Sequence, residues 1–503
     1  MNPAALDPFL TTLALVGAVI IVSSLLSGLI ERSGVPQVAV LLGLGAVLGP
    51  AGLGLVHLGL DSPILRVVAT LSLALVLFTD ALSIDMEQIR RHGRLALLVL
   101  GPGTILSAVL VSLAARWLLH LSWPAAAILG AALASTDPVL LRGLLRRRDL
   151  PADARQALRL ESGLNDVVLL PIVLVAMVLL GSSHGPGGEG STEWSKMGLQ
   201  LFLLGPGAGV AVGLAGVATL DLVRRRIGIR RDYESLYSLG LAFAAFAAAE
   251  SFHGSGFLAA FAAGMTISVF DVELCDCFRE YGETTAELAL LFTFVLLGSS
   301  LIWSGVTAAT GPMLVFAVVA LLVRPAALLV SLLPTRLDRR SLWLTVWFGP
   351  RGLSSLLLVL LPVFAGVPGS RELFPICCLV VLLSVLIHGG SLMFLGRDDK
   401  PAAGQGGGTE GPPATPFRSQ APALRVLPPQ EQEALPERIE LAEMQRLQAA
   451  GEPVIVLDAR TERALENSGE VAVDTVRLDP DRAAQEAERL RLPREAWLVA
   501  FCA

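Results

Sequence analysis

Long apolar runs separated by short polar connections fill the chain from position 9 to about 396. A helix needs about 20 apolar residues to cross the hydrocarbon core of a bilayer. By that measure we count about 13 candidate transmembrane helices. Their centres lie at roughly 20, 44, 73, 105, 131, 169, 210, 241, 263, 293, 321, 352 and 383. The pattern predicts an all-α polytopic membrane protein over residues 1–396.

The connections between these runs differ in charge. The third, fifth, seventh and eleventh connections carry clusters of arginine, whereas the even-numbered ones offer only Arg116, Lys196 and Arg371. Short loops rich in lysine and arginine stay on the cytoplasmic side. We therefore expect a protein of the cell membrane (plasma or inner) with its N-terminus outside and its C-terminal tail in the cytoplasm.

Composition narrows the class of protein further. Hydrophobic residues make up 53% of the chain and charged residues 16%, against about 25% charged in an ordinary soluble domain. A purely soluble protein is therefore excluded. The net charge of −6 is too mild to indicate nucleic-acid binding, so we expect membrane lipid and small ions as partners.

Ionisable residues nevertheless fall within or beside the apolar runs. Each costs about 2.5–3.5 kcal/mol at a helix centre, and a passive anchor would not carry them. The residues are Asp80, Asp137, Glu161, Asp166, Glu250, Arg324 and Arg351.

Two of the runs contain helix breakers at corresponding places. Pro138 disfavours helix at Asp137 in the fifth run, and Gly349-Pro350-Arg351-Gly352 interrupts the twelfth. In an inverted repeat, helix five corresponds to helix twelve, and paired interruptions indicate a transporter binding site. Thr136 would add an oxygen ligand for an alkali cation, and Arg351 would neutralise the carbonyl ends of both broken helices.

The sixth run opens with a polar stretch, Glu161-Ser162-Gly163-Leu164-Asn165-Asp166. Ser162 and Asp166 share one helix face, which could line an ion site beside Asp137, while Glu161 and Asn165 lie on the neighbouring stripe. Glu161 needs a countercharge, for which Arg324 is the candidate. Two carboxylates in a low-dielectric cavity repel each other, so such a site holds either protons or a cation.

This set of motifs resembles the monovalent cation:proton antiporter superfamily, in its sodium/proton exchanger branch, over roughly residues 9–396. The resemblance rests on Thr136-Asp137-Pro138, Glu161-Ser162-x-x-Asn165-Asp166, Arg324 and Gly349-Pro350-Arg351-Gly352, with a weaker match at Leu77-Phe78-Thr79-Asp80. It implies 13 helices with inverted repeats, crossed broken helices 5 and 12, a homodimer, and elevator-type alternating access.

The resemblance also implies roles for the site residues. Asp166 is the essential carboxylate for ion and proton. Asp137, Thr136 and Ser162 are its neighbours in binding Na⁺ or K⁺, and Asp80 stands where relatives often carry a longer Glu. Supporting roles fall to Asn165, to Arg351, and to Glu161 and Arg324 as a structural ion pair. Asn165 beside Asp166, in place of a second acid, suggests electroneutral exchange. No cofactor is expected beyond the transported ions.

The C-terminal part is different in character. Residues 397–435 are rich in Pro and Gly and are expected to form a flexible linker. Residues 436–503 alternate strands and helices and resemble an incomplete rhodanese-like α/β module, with Asp458-x-Arg460 as its early motif. The chain stops one residue after Cys502, where the loop that activates the thiol would follow, so we expect this module not to be catalytic.

Two other functional classes remain open from the sequence. A cation channel would also use buried carboxylates, and a membrane-anchored rhodanese-type sulfurtransferase or sensor would use the helices only as an anchor. The second leaves the buried acids unexplained. The sequence does not distinguish Na⁺ from K⁺, and it gives neither the pH range, the stoichiometry beyond a preference for 1:1, nor the ligand of the tail.

Overall fold

The structure is a computed structural model that describes most of the hydrophobic part of the chain. The described residues are 37–84, 93–145, 147, 150–182, 198–226, 231–270, 276–335, 337–395, 453–458, 475–477 and 497–501, with isolated positions at 17, 21, 444 and 446. The chain divides into two compact units, Met1–Ala403 and Gly404–Ala503.

The described residues of the first unit form helices and short connections. The helices are α1 (Gln37–Leu48), α2 (Pro63–Leu82), α3 (Gly93–Leu118), α4 (Trp123–Ala134), α5 (Pro138–Leu145), α6 (Ala152–Ser182), α7 (Gly205–Arg226), α8 (Arg231–Ser251), α9 (Gly256–Val269), α10 (Asp276–Ser299), α11 (Ser304–Thr307), α12 (Gly311–Leu332), α13 (Arg339–Trp347), α14 (Leu353–Phe364) and α15 (Leu373–Leu395). A π-helical turn, Val99–Gly103, lies within α3, and another, Gln200–Leu204, precedes α7.

Predicted spans and observed helices coincide where the chain is described. Each predicted run from the second to the thirteenth falls on a helix or a helix pair, while the first lies almost wholly outside the described residues. Seven of the described helices are long and apolar enough to cross a membrane, or up to eight if the bent pair Thr284–Ser299 and Leu301–Thr307 is one span. The helical prediction is confirmed, and the count of about 13 stays a prediction.

The helices next to the two predicted interruptions are enclosed by protein. Nearly every residue of α4 from Ala125 to Ala134 is buried, and so are most residues of α14. A helix that is apolar and buried all round lies inside the bundle and not at its surface. Irregular backbone beside these helices is therefore shielded from lipid, as membrane-spanning structures require.

Both interruptions occur as predicted, and they meet. The chain leaves the helical conformation between α4 and α5, where Ser135 is extended, and again between α13 and α14. The backbone N–H of Asp137 donates to the carbonyl oxygen of Pro350 at 3.0 Å. This direct contact brings the two unwound segments together in the core, while the inverted-repeat relation between the two halves stays a prediction.

The second unit contains a small parallel sheet. Strands β1 (Val454–Asp458), β2 (Thr475–Arg477) and β3 (Trp497–Phe501) pair in the order β2-β1-β3, and both pairings are parallel. The strand predicted at 453–458 is confirmed from Val454 onwards, and the one predicted at 498–502 is confirmed over 498–501 and begins one residue earlier, at Trp497. The linker 397–435 and Cys502 lie outside the described residues, and the rhodanese-like identity of this unit stays a prediction.

Candidate ion-binding site

Asp166 is a buried carboxylate close to the meeting point of the two breaks. Its side chain on α6 is 2% exposed. The hydroxyl of Ser135 donates to its Oδ1 at 2.5 Å, and the hydroxyl of Ser354 lies next to the carboxylate. Among the described residues, no basic side chain pairs with Asp166, and the carboxylate of Asp137 acts on it as a like charge. The site therefore has the negative charge that a cation or proton needs.

Asp137 uses both of its carboxylate oxygens as helix caps. Oδ1 accepts the backbone N–H of Val139 at 2.8 Å, and Oδ2 accepts that of Leu353 at 2.6 Å. One side chain thus caps the N-termini of α5 and α14 at once, where an anion is favoured by unpaired N–H groups and by the helix dipole. The role of Asp137 as a neighbour or co-ligand of the ion stays a prediction.

Arg351 binds carbonyl oxygens at the C-terminal end of a broken helix. Its Nη1 donates to the carbonyl oxygens of Ala134 and Ser135 at 2.8 and 3.0 Å, which are the last carbonyls of α4. The backbone N–H of Arg351 donates to the hydroxyl of Ser384 on α15 at 2.7 Å. The hypothesis that Arg351 neutralises facing carbonyl ends holds for α4, but the end of α13 has another partner.

That partner is Arg324 on α12. Its guanidinium donates to both carboxylate oxygens of Glu161, at 2.9 and 2.6 Å, which is the pairing that the sequence predicts. The same group donates to the carbonyl oxygens at the end of α13, which belong to Thr345, Val346 and Phe348. Arg324 therefore neutralises Glu161 and also holds the chain just before the second break. The sequence analysis predicted only the first of these two roles.

Thr136 and Ser162 make their hydrogen bonds away from Asp166. The side-chain amide of Asn165 donates to Thr136 Oγ1 at 2.7 Å, and the hydroxyl of Ser162 faces the carbonyl of Arg159 at 3.5 Å. Asn165 is buried, and among the described residues its Oδ1 has no hydrogen-bond partner. The structure thus joins Thr136 to Asn165 and does not bring either predicted hydroxyl ligand into contact with Asp166.

Asp80 and Glu250 are the other acids that the sequence places in or beside the apolar runs. Asp80 is half-buried near the C-terminal end of α2. Glu250 accepts the backbone N–H of Gly256 at 3.0 Å. The role of Asp80 in ion binding therefore stays a prediction.

Glu250 lines an open cleft of about 430 Å³ together with Arg66, Leu174, His253 and Phe364. Arg66 donates to the carbonyl of Phe364 and lies 5.7 Å from the centre of its ring. Leu174 is eight residues beyond Asp166 on α6, a rise of about 12 Å. The cleft is thus separate from the carboxylate site.

Ser135 and Ser354 are the contacts of Asp166 that the sequence analysis missed. Ser135 stands directly before Thr136, and Ser354 follows Gly352 by two residues. Both therefore lie beside motifs that the sequence marked, and position relative to the helix breaks was the signal available. A serine in an apolar run is common, however, and only the contact of the two breaks selects these two.

Comparison with known proteins agrees with this arrangement. The family profile described as "Sodium/hydrogen exchanger, transmembrane" matches residues 19–397. The chain is 26% identical over 391 residues to the K⁺/H⁺ antiporter NhaP of Alkalimonas amylolytica, covering 77% of this chain and 66% of that protein. It is 25% identical over 358 residues to the Na⁺/H⁺ antiporter NhaG of Bacillus atrophaeus, covering 67% and 66%. The chain thus spans 66% of the length of these curated relatives, which are antiporters and not enzymes.

A solved structure shows the same fold. The sodium proton antiporter MjNhaP1 from Methanocaldococcus jannaschii at pH 8 superposes with a TM-score of 0.62 at 19% identity, covering 76% of this chain and all of that one. With the apolar helices described above, these matches indicate a multi-pass membrane protein. Because the family profile covers most of the chain, the chain belongs to the sodium/hydrogen exchanger family.

Proposed function

We propose that the chain is a secondary antiporter that exchanges a monovalent cation, Na⁺ or K⁺, for H⁺ across the cell membrane. The observation that carries this proposal is Asp166, a buried carboxylate with no basic partner among the described residues, next to two broken helices. Half-helix ends around a buried acid are the arrangement that secondary transporters use to bind ions.

Exchange follows from competition for one carboxylate. Asp166 binds either a proton or the cation, and the site presents the bound species to each side in turn by elevator-type alternating access. In this proposal Asp137 and Arg351 cap the ends of the half-helices, and the ion pair of Glu161 with Arg324 stabilises the core. Asp137, Thr136, Ser162 and Asp80 stay proposed neighbours of the ion.

One acidic carrier supports electroneutral exchange of one cation for one proton. The residue before Asp166 is Asn165, whose side-chain amide donates to Thr136. Because an amide does not titrate, the pair supplies a single titrating group. The orientation with the N-terminus outside and a homodimeric assembly belong to the same proposal. The relatives include both K⁺/H⁺ and Na⁺/H⁺ antiporters. Which cation is exchanged therefore has to be measured.

A cation channel is the less favoured alternative. A pore keeps a continuous water path to its carboxylates, whereas Asp166 is buried in protein and its Oδ1 accepts a hydrogen bond from the Ser135 hydroxyl. A closed site of this kind suits a carrier that occludes its ion.

The test is ion exchange by the full chain in lipid vesicles. A pH dye inside reports proton movement when Na⁺, K⁺ or Li⁺ is added outside at several clamped voltages. We expect cation-driven proton efflux that does not depend on voltage, and we expect it to disappear in Asp166→Asn. The matched control is Asp153→Asn, because Asp153 lies exposed in the first turn of the same helix. Absence of proton movement with all three cations would refute the proposal.

The cytoplasmic tail is tested separately. A chain that ends at residue 403 lacks the second compact unit. We expect it to retain exchange, because the residues assigned to the ion all lie in the first unit. Loss of exchange with normal membrane insertion would instead place part of the mechanism in the tail.

A further inference from the structure

Two serine hydroxyls reach the same carboxylate from the two broken helices. Ser135 is fully buried, and its hydroxyl donates to Asp166 Oδ1 at 2.5 Å. Ser354 is also buried, and its hydroxyl lies next to the same carboxylate. Ser135 directly follows the last residue of α4, and Ser354 lies in the first turn of α14. Each interruption therefore contributes one hydroxyl to the carrier.

Both serines are held in place by the charged residues that cap the broken helices. The Nη1 of Arg351 donates to the carbonyl oxygen of Ser135 at 3.0 Å. Asp137 accepts the N–H of Leu353, the residue before Ser354, at 2.6 Å. The two hydroxyls are thus fixed by the crossing itself, and their oxygens need little reorganisation to face a bound ion.

The oxygen ligands expected from the sequence are engaged elsewhere. Asp137 has both oxygens on backbone N–H groups, Thr136 Oγ1 accepts the amide of Asn165, and Ser162 faces its own helix. Within the described part of the chain, the Ser135 hydroxyl hydrogen-bonds Asp166, and the Ser354 hydroxyl lies next to it.

We infer that the hydroxyls of Ser135 and Ser354 complete the ion site at Asp166 and determine how well the cation competes with the proton there. This inference rests on the proposed function. A hydroxyl that donates to the bare carboxylate stabilises its charge and disfavours protonation. When a cation binds, the same hydroxyl turns its oxygen towards the cation and its proton away. Removing it therefore tightens proton binding and deprives the cation of a ligand.

The test compares Ser135→Ala and Ser354→Ala with Ser355→Ala in the vesicle exchange assay. Ser355 is the matched control, because it lies in the same turn as Ser354, is fully buried, and has a hydroxyl without a hydrogen-bond partner among the described residues. In each test variant we expect the KM for the cation to rise about tenfold, because a hydrogen bond to a charged group is lost. The pH profile should move about one unit towards alkaline pH. Ser355→Ala should keep both values, and Ser354→Thr, which retains a hydroxyl, should stay nearer to the wild type than Ser354→Ala.

A second measurement separates this inference from the proposed function and from misfolding. Thermal unfolding in detergent with increasing Na⁺ or K⁺ reports cation binding without transport, because a ligand that binds the folded state raises the unfolding temperature. We expect both alanine variants to unfold as cooperatively as the wild type but to need about ten times more cation for the same shift. Wild-type KM and pH profile in both alanine variants, with Asp166→Asn inactive, would overturn the inference and leave the antiport proposal intact. A wild-type chain that neither exchanges ions nor gains stability from any cation would overturn both.

Discussion

Arg324 and Glu161 provide a test of how the core beside the ion site is held. Arg324 makes two hydrogen bonds to the Glu161 carboxylate and three to carbonyl oxygens at the end of α13. Both side chains are almost completely enclosed. Arg324→Met leaves the carboxylate and the carbonyls without a donor. Glu161→Gln removes one charge but keeps an acceptor, and it leaves the arginine bound to the carbonyls.

These contacts predict different losses of unfolding free energy for the two variants. Removing one partner of a buried pair costs about 3–5 kcal/mol of unfolding free energy. Arg324→Met also removes three carbonyl contacts at about 1 kcal/mol each, which gives about 6–8 kcal/mol in total. Glu161→Gln should lie near the lower limit of about 3 kcal/mol, because its partner keeps three of its five contacts. We therefore expect a difference of at least about 3 kcal/mol between the two variants.

The assay is the unfolding of purified wild type, both single variants and the double variant in detergent. The double variant should be less destabilised than the sum of the singles, because the two residues are in contact. Arg371→Met is the control. It breaks the exposed contact of Arg371 with Asp61, and such surface pairs contribute about 1 kcal/mol or less. If Glu161→Gln lowered the unfolding free energy as much as Arg324→Met, the carbonyl contacts of Arg324 would not contribute the stability assigned to them.

Three further predictions concern the breaks and one helix end. Gly352→Ala should abolish exchange and lower the unfolding temperature, because an added Cβ would overlap the Asp137 carboxylate, whereas Gly163→Ala meets nothing within 4 Å and should match the wild type in both assays. Asp137→Asn should lower the unfolding free energy by about 2 kcal/mol in chemical denaturation, because two helix N-termini lose a charged cap. Contacts with Ser341, whose backbone N–H donates to Asp338 Oδ2 at 3.1 Å, hold the pKa of the Asp338 carboxyl below its ordinary value. The stability difference between wild type and Asp338→Ala should therefore be largest near neutral pH and should shrink as the pH falls through that lowered pKa.

Local sequence signals predicted much of this site. Helix breakers at Pro138 and at Gly349–Gly352 mark the two interruptions without any knowledge of the fold, because proline and glycine act on the backbone where they stand. A charge in an apolar run demands a partner, and the pairing of Glu161 with Arg324 follows from that demand.

Side-chain partners across the crossing could not be predicted in the same way. Whether Asp137 faces an ion or two helix ends depends on how closely α5 and α14 approach, and that distance is set by the packing of the whole bundle. Ser135 and Ser354 are separated by more than two hundred residues in sequence. Their joint contact with Asp166 arises only when the breaks meet.

Under the proposed function, the charges around the crossing would determine how the protein responds to membrane voltage. Among the described residues of the first unit, the buried carboxyl and guanidinium side chains other than Asp166 are Asp137, Glu161, Arg324 and Arg351. Their formal charges, two negative and two positive, cancel, so the formal charge of this buried group equals that of Asp166. With a proton or one monovalent cation bound to Asp166, that charge would be zero. A membrane potential does work of about 2.3 kcal/mol per elementary charge per 100 mV, and it does none on a neutral core.

The unloaded core behaves differently, because it carries one uncompensated negative charge. Moving that charge through a medium of low dielectric constant is costly, and the empty carrier should therefore stay on the side where it released its ion. Under the proposed function, the core would then return only with an ion or a proton bound. Such a chain would couple the two ion gradients tightly to each other and leave the electrical potential of the membrane unchanged.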